Sequence, residues 1–157
     1  MASTTAAGLP AYTDGYQKWP KINKKPFTKC GPPCAHGGIK NVYASKRKVG
    51  AKYPNGTVVV KSIAQAGQKG MPNQVAVMRK VAGRWKYIEY QLSGARYTAI
   101  GQGQFCASCH AQAKANDYVF TKRKPLGSKP LCSSSAPLVR HEERADSPDH
   151  ADDADYP

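Results

Sequence analysis

The sequence predicts a mainly β, α+β domain, with one antiparallel sheet wound as a meander and a few short helices. Three observations predict it. Runs rich in β-branched and aromatic residues recur across positions 39–92, each bounded by turn residues. The last two runs are separated only by Ala82-Gly83-Arg84, a length that makes them a hairpin and hence antiparallel. Strong helix formers gather late, over positions 106–116, and only over a short stretch.

Each element follows in chain order. Positions 1 to about 35 mix Pro, Gly, Thr and Lys with no period and read as an irregular lead-in. Within it Tyr16-Gln17-Lys18-Trp19-Pro20 offers an aromatic anchor to the core. A short strand is expected at 39–43. The turn Tyr53-Pro54-Asn55-Gly56 feeds a second at 57–63, a β-branched run. Strands at 74–81 and 85–92 form the hairpin, and Trp85, Tyr87 and Tyr90 are expected to pack across it. A short helix is expected over 106–116, then a small apolar patch, Tyr118-Val119-Phe120-Thr121. Beyond Pro125 the chain turns to Ser, Pro and charge. The organisation is thus an irregular lead-in at 1–18, one folded domain at 19–125, and a tail at 126–157 expected to be disordered and ending in an acidic segment.

The 157 residues suffice for one domain with a real core. No run of eighteen apolar residues is present, so no membrane-spanning helix is expected. Charge is unevenly placed. Positions 141–157 hold seven carboxylates against Arg144, a net −6, which leaves +20 on positions 1–140 of the total of +14. Such a body attracts anionic partners. Nucleic acid is not expected among them, because no base-reading motif accompanies the charge.

Phe105-Cys106-Ala107-Ser108-Cys109-His110 is the motif that carries chemistry. Two thiols two residues apart reach the two vinyl groups of one porphyrin, and the His that follows sits beneath the iron. The expected cofactor is one haem c, covalently attached at Cys106 and Cys109, packed against the sheet, with His110 as proximal ligand. Two other readings of the cysteines fit the sequence less well. A redox dithiol wants a βαβ setting that the flanks do not offer. A zinc knuckle would need Cys30 and Cys34, in a spacing looser than structural sites use.

Three of the five cysteines, Cys30, Cys34 and Cys132, remain after haem attachment, so at least one stays unpaired or bonds elsewhere. The methionines Met1, Met71 and Met78 all precede the motif, and the downstream His141 and His150 fall in the tail. With no evident sixth ligand, the iron is expected to keep an open face for a small molecule. Haem attachment of this kind belongs outside the cytoplasm, so a periplasmic or otherwise extracytoplasmic location is expected. Met1-Ala2-Ser3-Thr4-Thr5-Ala6-Ala7-Gly8 shows neither the basic nor the apolar region of a secretory signal.

The late haem motif, Ala113-Lys114-Ala115-Asn116-Asp117-Tyr118-Val119-Phe120-Thr121 after it, and the earlier Tyr53-Pro54-Asn55-Gly56-Thr57-Val58-Val59-Val60-Lys61 together resemble the cytochrome P-460 family. The resemblance spans roughly positions 19–122. It implies a β-sheet c-type haem protein, often a homodimer, which either oxidises hydroxylamine or, like the related cytochromes c′-beta, binds nitric oxide without turnover. A redox partner protein is implied by the first activity. A third reading is a plain electron-transfer cytochrome.

The resemblance also implies that Lys61 is the lysine joined to the porphyrin edge in the enzymatic members. On a strand Lys61 shares a face with Thr57, Val59 and Ile63, and an amine pressed on an apolar pocket loses its proton readily. Where the family's enzymes carry a distal carboxylate, on the strand at 75–81, this chain places Met78, with Arg79 beside it. The nearest strand carboxylate is Glu89. Lys40 roughly matches a basic distal residue of some members. His36 is a further distal candidate as proton carrier or ligand, and Tyr118 and Phe120 are expected to line the haem.

Overall fold

The computed structural model describes residues 6–29 and 36–122. Cys30, Cys34, Cys132, the tail at 126–157 and its acidic end lie outside the described residues. Five strands form a single sheet in the order of the chain: β1 (Ile39–Ala44), β2 (Val58–Ala64), β3 (Gln74–Val81), β4 (Arg84–Ser93) and β5 (Arg96–Gln102), every neighbouring pair antiparallel. The mainly β meander expected from the alternating runs is therefore the fold. The β3–β4 hairpin turns on Ala82 and Gly83 alone, both left-handed at φ 48° and 76°, as the twist of a two-residue hairpin requires.

β5 was not foreseen. Only Tyr97 among its residues is buried, and Ile100 is 55% exposed. An edge strand with one buried side chain carries no alternation to read.

The two faces of the sheet bury different clusters, as alternating side chains must. One face gathers Tyr43, Val58, Val60, Val75, Val77, Tyr90 and Tyr97. It is covered by the lead-in, which forms two 3₁₀ turns, Ala11–Thr13 and Tyr16–Lys18, and buries Leu9, Thr13 and Tyr16. The Tyr16 ring meets Tyr43 edge-on at 5.5 Å. Close approach at Gly8 makes this docking possible: the Tyr97 N–H donates to Ala7 O at 2.8 Å, and a Cβ on Gly8 would lie 2.0 Å from Tyr97 O.

The other face gathers Val42, Ala44, Val59, Met78 and Tyr87, with Ile22, Tyr53 and Val119 packed on it. Across it runs α1 (Gln104–His110), which continues as a 3₁₀ helix over Ala111–Asn116. The helix therefore begins two residues before Cys106 and changes pitch immediately after His110. Asp117 and Tyr118, at φ 55° and 63°, end it in two successive left-handed residues. Each such residue without a glycine costs about 1 kcal/mol, which other contacts must offset. No helix among the described residues is long and apolar enough to cross a membrane.

Candidate haem site

Cys106 and Cys109 stand three apart on α1 and His110 four from Cys106, so the helix turns all three toward one side. Both thiols are unpaired and partly buried. Burial first, then the nearby Glu89 carboxylate, pushes the Cys106 thiol above its ordinary pKa, so it stays protonated. Phe105, at 76% exposed, faces solvent.

His110 is enclosed by aromatic rings, Tyr87 at 4.8 Å and Phe120 at 5.1 Å between centroids. Burial pushes its pKa down to about 4, with the charges of Lys61 and His36 acting the same way and the bond to Tyr118 opposing. The ring is therefore a neutral imidazole at physiological pH. Its Nδ1 lies 2.7 Å from the Tyr118 carbonyl oxygen. A carbonyl only accepts, so Nδ1 carries the proton and Nε2 keeps the lone pair that a metal needs.

A narrow crevice joins His110 to the sheet. Val42, Val59, Lys61, Ala76, Met78 and His110 line it, together with Val119, Phe120 and Thr121. Sheet register explains the arrangement. Val42, Lys61, Ala76, Glu89 and Gly101 follow one another across all five strands, and Ala44, Val59, Met78 and Tyr87 form the adjacent row. A β-bulge at Glu89/Tyr90 lets Glu89 pair with Gly101 while Tyr90 pairs with Ala99, a device often found where a strand must re-aim a side chain. Beyond the Lys61 row, a wider cavity of about 380 Å³ is bounded by Gly38, Ile63, Gln74 and Gln91.

Lys61 thus lies mid-strand and turns inward. Burial pushes its pKa down to about 8, the Lys40 charge adds to this, and Glu89 and Cys109 oppose it. With that value, about a tenth of the amines are neutral and nucleophilic at pH 7. His36 Nδ1 sits 3.0 Å from Glu89 Oε1, on the same side of the sheet. Lys40 stands on β1. Its ammonium, buried and over the Phe27 ring, donates to the carbonyls of Thr28, Gly38 and, at 3.4 Å, Lys29. It ties down both ends of the loop that bears His36.

The structure brings Cys106, Cys109, His110, Lys61, Met78 and Phe120 together, with His36 at the margin. Tyr118 takes part through its backbone carbonyl, and Val119 rather than Tyr118 lines the crevice. Three contributors escaped sequence reasoning. Tyr87 reads from sequence as packing, although its ring lies against His110 at a tilt of 40°. Glu89 was noted only as a strand carboxylate, and its face depends on strand register. Asp117 enters the sequence reading only as part of the stretch that carries the family resemblance, yet it is buried and accepts from Lys80 Nζ at 2.7 Å and the Tyr53 N–H at 2.8 Å. Burial alone would raise the Asp117 pKa, but these bonds outweigh it and hold the carboxyl below its ordinary value.

The donor set fits a haem: two unpaired thiols and a tautomer-fixed neutral imidazole on one helix, facing an apolar sheet surface. A haem-binding cytochrome is the class that this arrangement defines. The cytochrome P460 family model matches residues 13–121, and the chain belongs to that family. No curated protein and no solved structure matches it at a comparable level.

Proposed function

We propose that one haem is held by thioether bonds to Cys106 and Cys109 with His110 Nε2 as axial ligand, and that the protein oxidises hydroxylamine or a related small nitrogen compound. The observation that carries this reading is that Lys61 and His110 line one crevice. A haem held there would supply an iron for the nitrogen compound and a route for its electrons to an external acceptor. The chain's own groups do the rest. His110 is held neutral and oriented; Lys61 contacts the macrocycle edge with an amine of lowered basicity; Val42, Val59 and Met78 keep water from the inner wall.

Removing electrons from hydroxylamine also releases protons, and a positioned base must take them. Glu89, bonded to His36 Nδ1, is a carboxylate on this face and the group we assign to that transfer. It stands one strand away from the strand that carries Met78, so the acid–base group has a different origin here from the one the resemblance implies. A redox partner protein accepts the electrons, and the basic body favours an acidic one. Function outside the cytoplasm and assembly as a homodimer belong to the same proposal.

A second reading is favoured by Met78, which places an apolar thioether in the crevice where a proton acceptor would serve turnover. On that reading the protein binds nitric oxide without consuming it. The two separate by steady-state assay with hydroxylamine and an artificial acceptor. Turnover supports the first, whereas stoichiometric nitric oxide binding without any acceptor reduction supports the second.

A further inference from the structure

The left-handed turn after the helix is held by a charge buried away from solvent. Asp117 and Tyr118 occupy consecutive left-handed conformations, which an Asp tolerates and a Tyr does not favour. The turn is closed by the Asp117 N–H to Lys114 O at 3.0 Å and the Tyr118 N–H to Ala113 O at 2.9 Å. Its effect is to swing the Tyr118 carbonyl onto His110 Nδ1. Lys80 on β3 and the Tyr53 backbone N–H grip the Asp117 carboxylate from the sheet side. Lys80 and Asp117 each expose only 6% of their side chains. A buried pair of this kind gains little stability over apolar packing, so a role in fixing geometry is the better account of its presence.

We infer that Asp117, clamped by Lys80 and Tyr53, is a positioning residue for the proximal ligand: it holds the Tyr118 carbonyl on His110 Nδ1 and so sets the orientation and basicity of His110. Partners one bond removed from a metal ligand act in this way, by fixing its tautomer and strengthening its donor nitrogen. The inference rests on the haem reading, and it adds a residue that touches neither cofactor nor ligand. Asp117 acts through backbone geometry, with its charge as the anchor.

The test uses the full haem-loaded chain as wild type, Asp117→Asn, Asp117→Glu and Tyr97→Phe. Tyr97→Phe removes a buried hydrogen bond to Pro72 O on the opposite face and serves as the control for general destabilisation. Two quantities are read: solvent exchange of the His110 Nδ1 proton by nitrogen-15 labelling, and the iron–histidine stretching frequency of the ferrous protein. In Asp117→Asn the exchange is expected to quicken by roughly tenfold or more and the stretch to fall. Asp117→Glu should lie between, and Tyr97→Phe should lower Tm while moving neither. If Asp117→Asn lowers Tm and leaves both quantities at wild-type values, the inference is overturned. Should Asp117→Asn not accumulate with haem, Asp117→Glu decides on the same two readouts. Should the wild type carry no haem, the haem reading fails by itself. The His110 tautomer of the haem-free chain then tests the clamp, with Nδ1–H kept in wild type and lost in Asp117→Asn as the supporting result.

Discussion

Lys61 pairs with Ala76 on β3, and Ala76 pairs with Glu89 on β4, so a buried amine and a carboxylate stand two strands apart on one face with only a methyl group between them. The small central residue leaves a flat ledge beside the His110 crevice. The Glu89 charge raises the Lys61 pKa against the larger lowering by burial.

Lys61 is the residue whose removal reports on the macrocycle contact. Lys61→Met keeps the length and deletes the amine. The ferrous Soret band of the wild type is expected far to the red, and that of Lys61→Met at an ordinary c-type position. Identical spectra in the two proteins would remove Lys61 from the covalent account. Intact mass gives a second reading, since joining Nζ to a porphyrin carbon breaks one N–H and one C–H bond, and with a two-electron oxidant such as a peroxide accepting both hydrogens the mass falls by two.

Glu89 is expected to govern proton removal and not ligand binding. Glu89→Gln should lower hydroxylamine turnover by roughly 10²-fold or more, with nitric oxide affinity unchanged. His36→Gln should give a smaller loss, because it deletes only the partner bonded to Glu89. Wild-type turnover in Glu89→Gln would place the base elsewhere.

Asp117 links acidity to stability in a definite direction. Its folded pKa is lowered from 3.8, so it stabilises the fold above that value and the contribution is lost as pH falls below it. Removing one partner of a buried ion pair costs about 3 kcal/mol. Urea unfolding at pH 7 should therefore show Asp117→Asn less stable than wild type by about that amount, and the gap should shrink below pH 3.8. A gap that stays constant with pH would show that the carboxylate charge is not what stabilises the turn.

Core packing on the lead-in face gives an independent check of the fold. Val60 is fully buried in the cluster under Leu9 and Tyr16, and Val60→Ala is expected to cost about 2 kcal/mol in urea unfolding. Gly8→Ala should also destabilise, by forcing the lead-in away from Tyr97. A neutral Gly8→Ala would mean that the lead-in does not dock there.

Much of this arrangement was legible in the chain. Thr57 to Ile63 announced a strand through β-branched residues and a preceding turn, and Ala82-Gly83 announced the hairpin. Cys106, Cys109 and His110 stood out by spacing alone, and the structure sets all three on one short helix. β5 stayed hidden because an edge strand that buries one residue has no pattern. The partnership of Glu89 with His36 and the clamp on Asp117 stayed hidden for another reason. They depend on strand register and on a left-handed turn, and both are set by contacts between residues 37 to 64 positions apart. Local sequence carries no record of such pairings.

The central claim is that Cys106 and Cys109 bind one haem covalently. The most direct measurement is the intact mass of the full chain produced with haem-attachment machinery, alongside the variant with both cysteines changed to alanine. The account predicts wild-type protein at the mass of the polypeptide plus one haem, stable to denaturation, and the variant at the mass of the bare polypeptide. Wild-type protein recovered at the bare polypeptide mass under those conditions would contradict it.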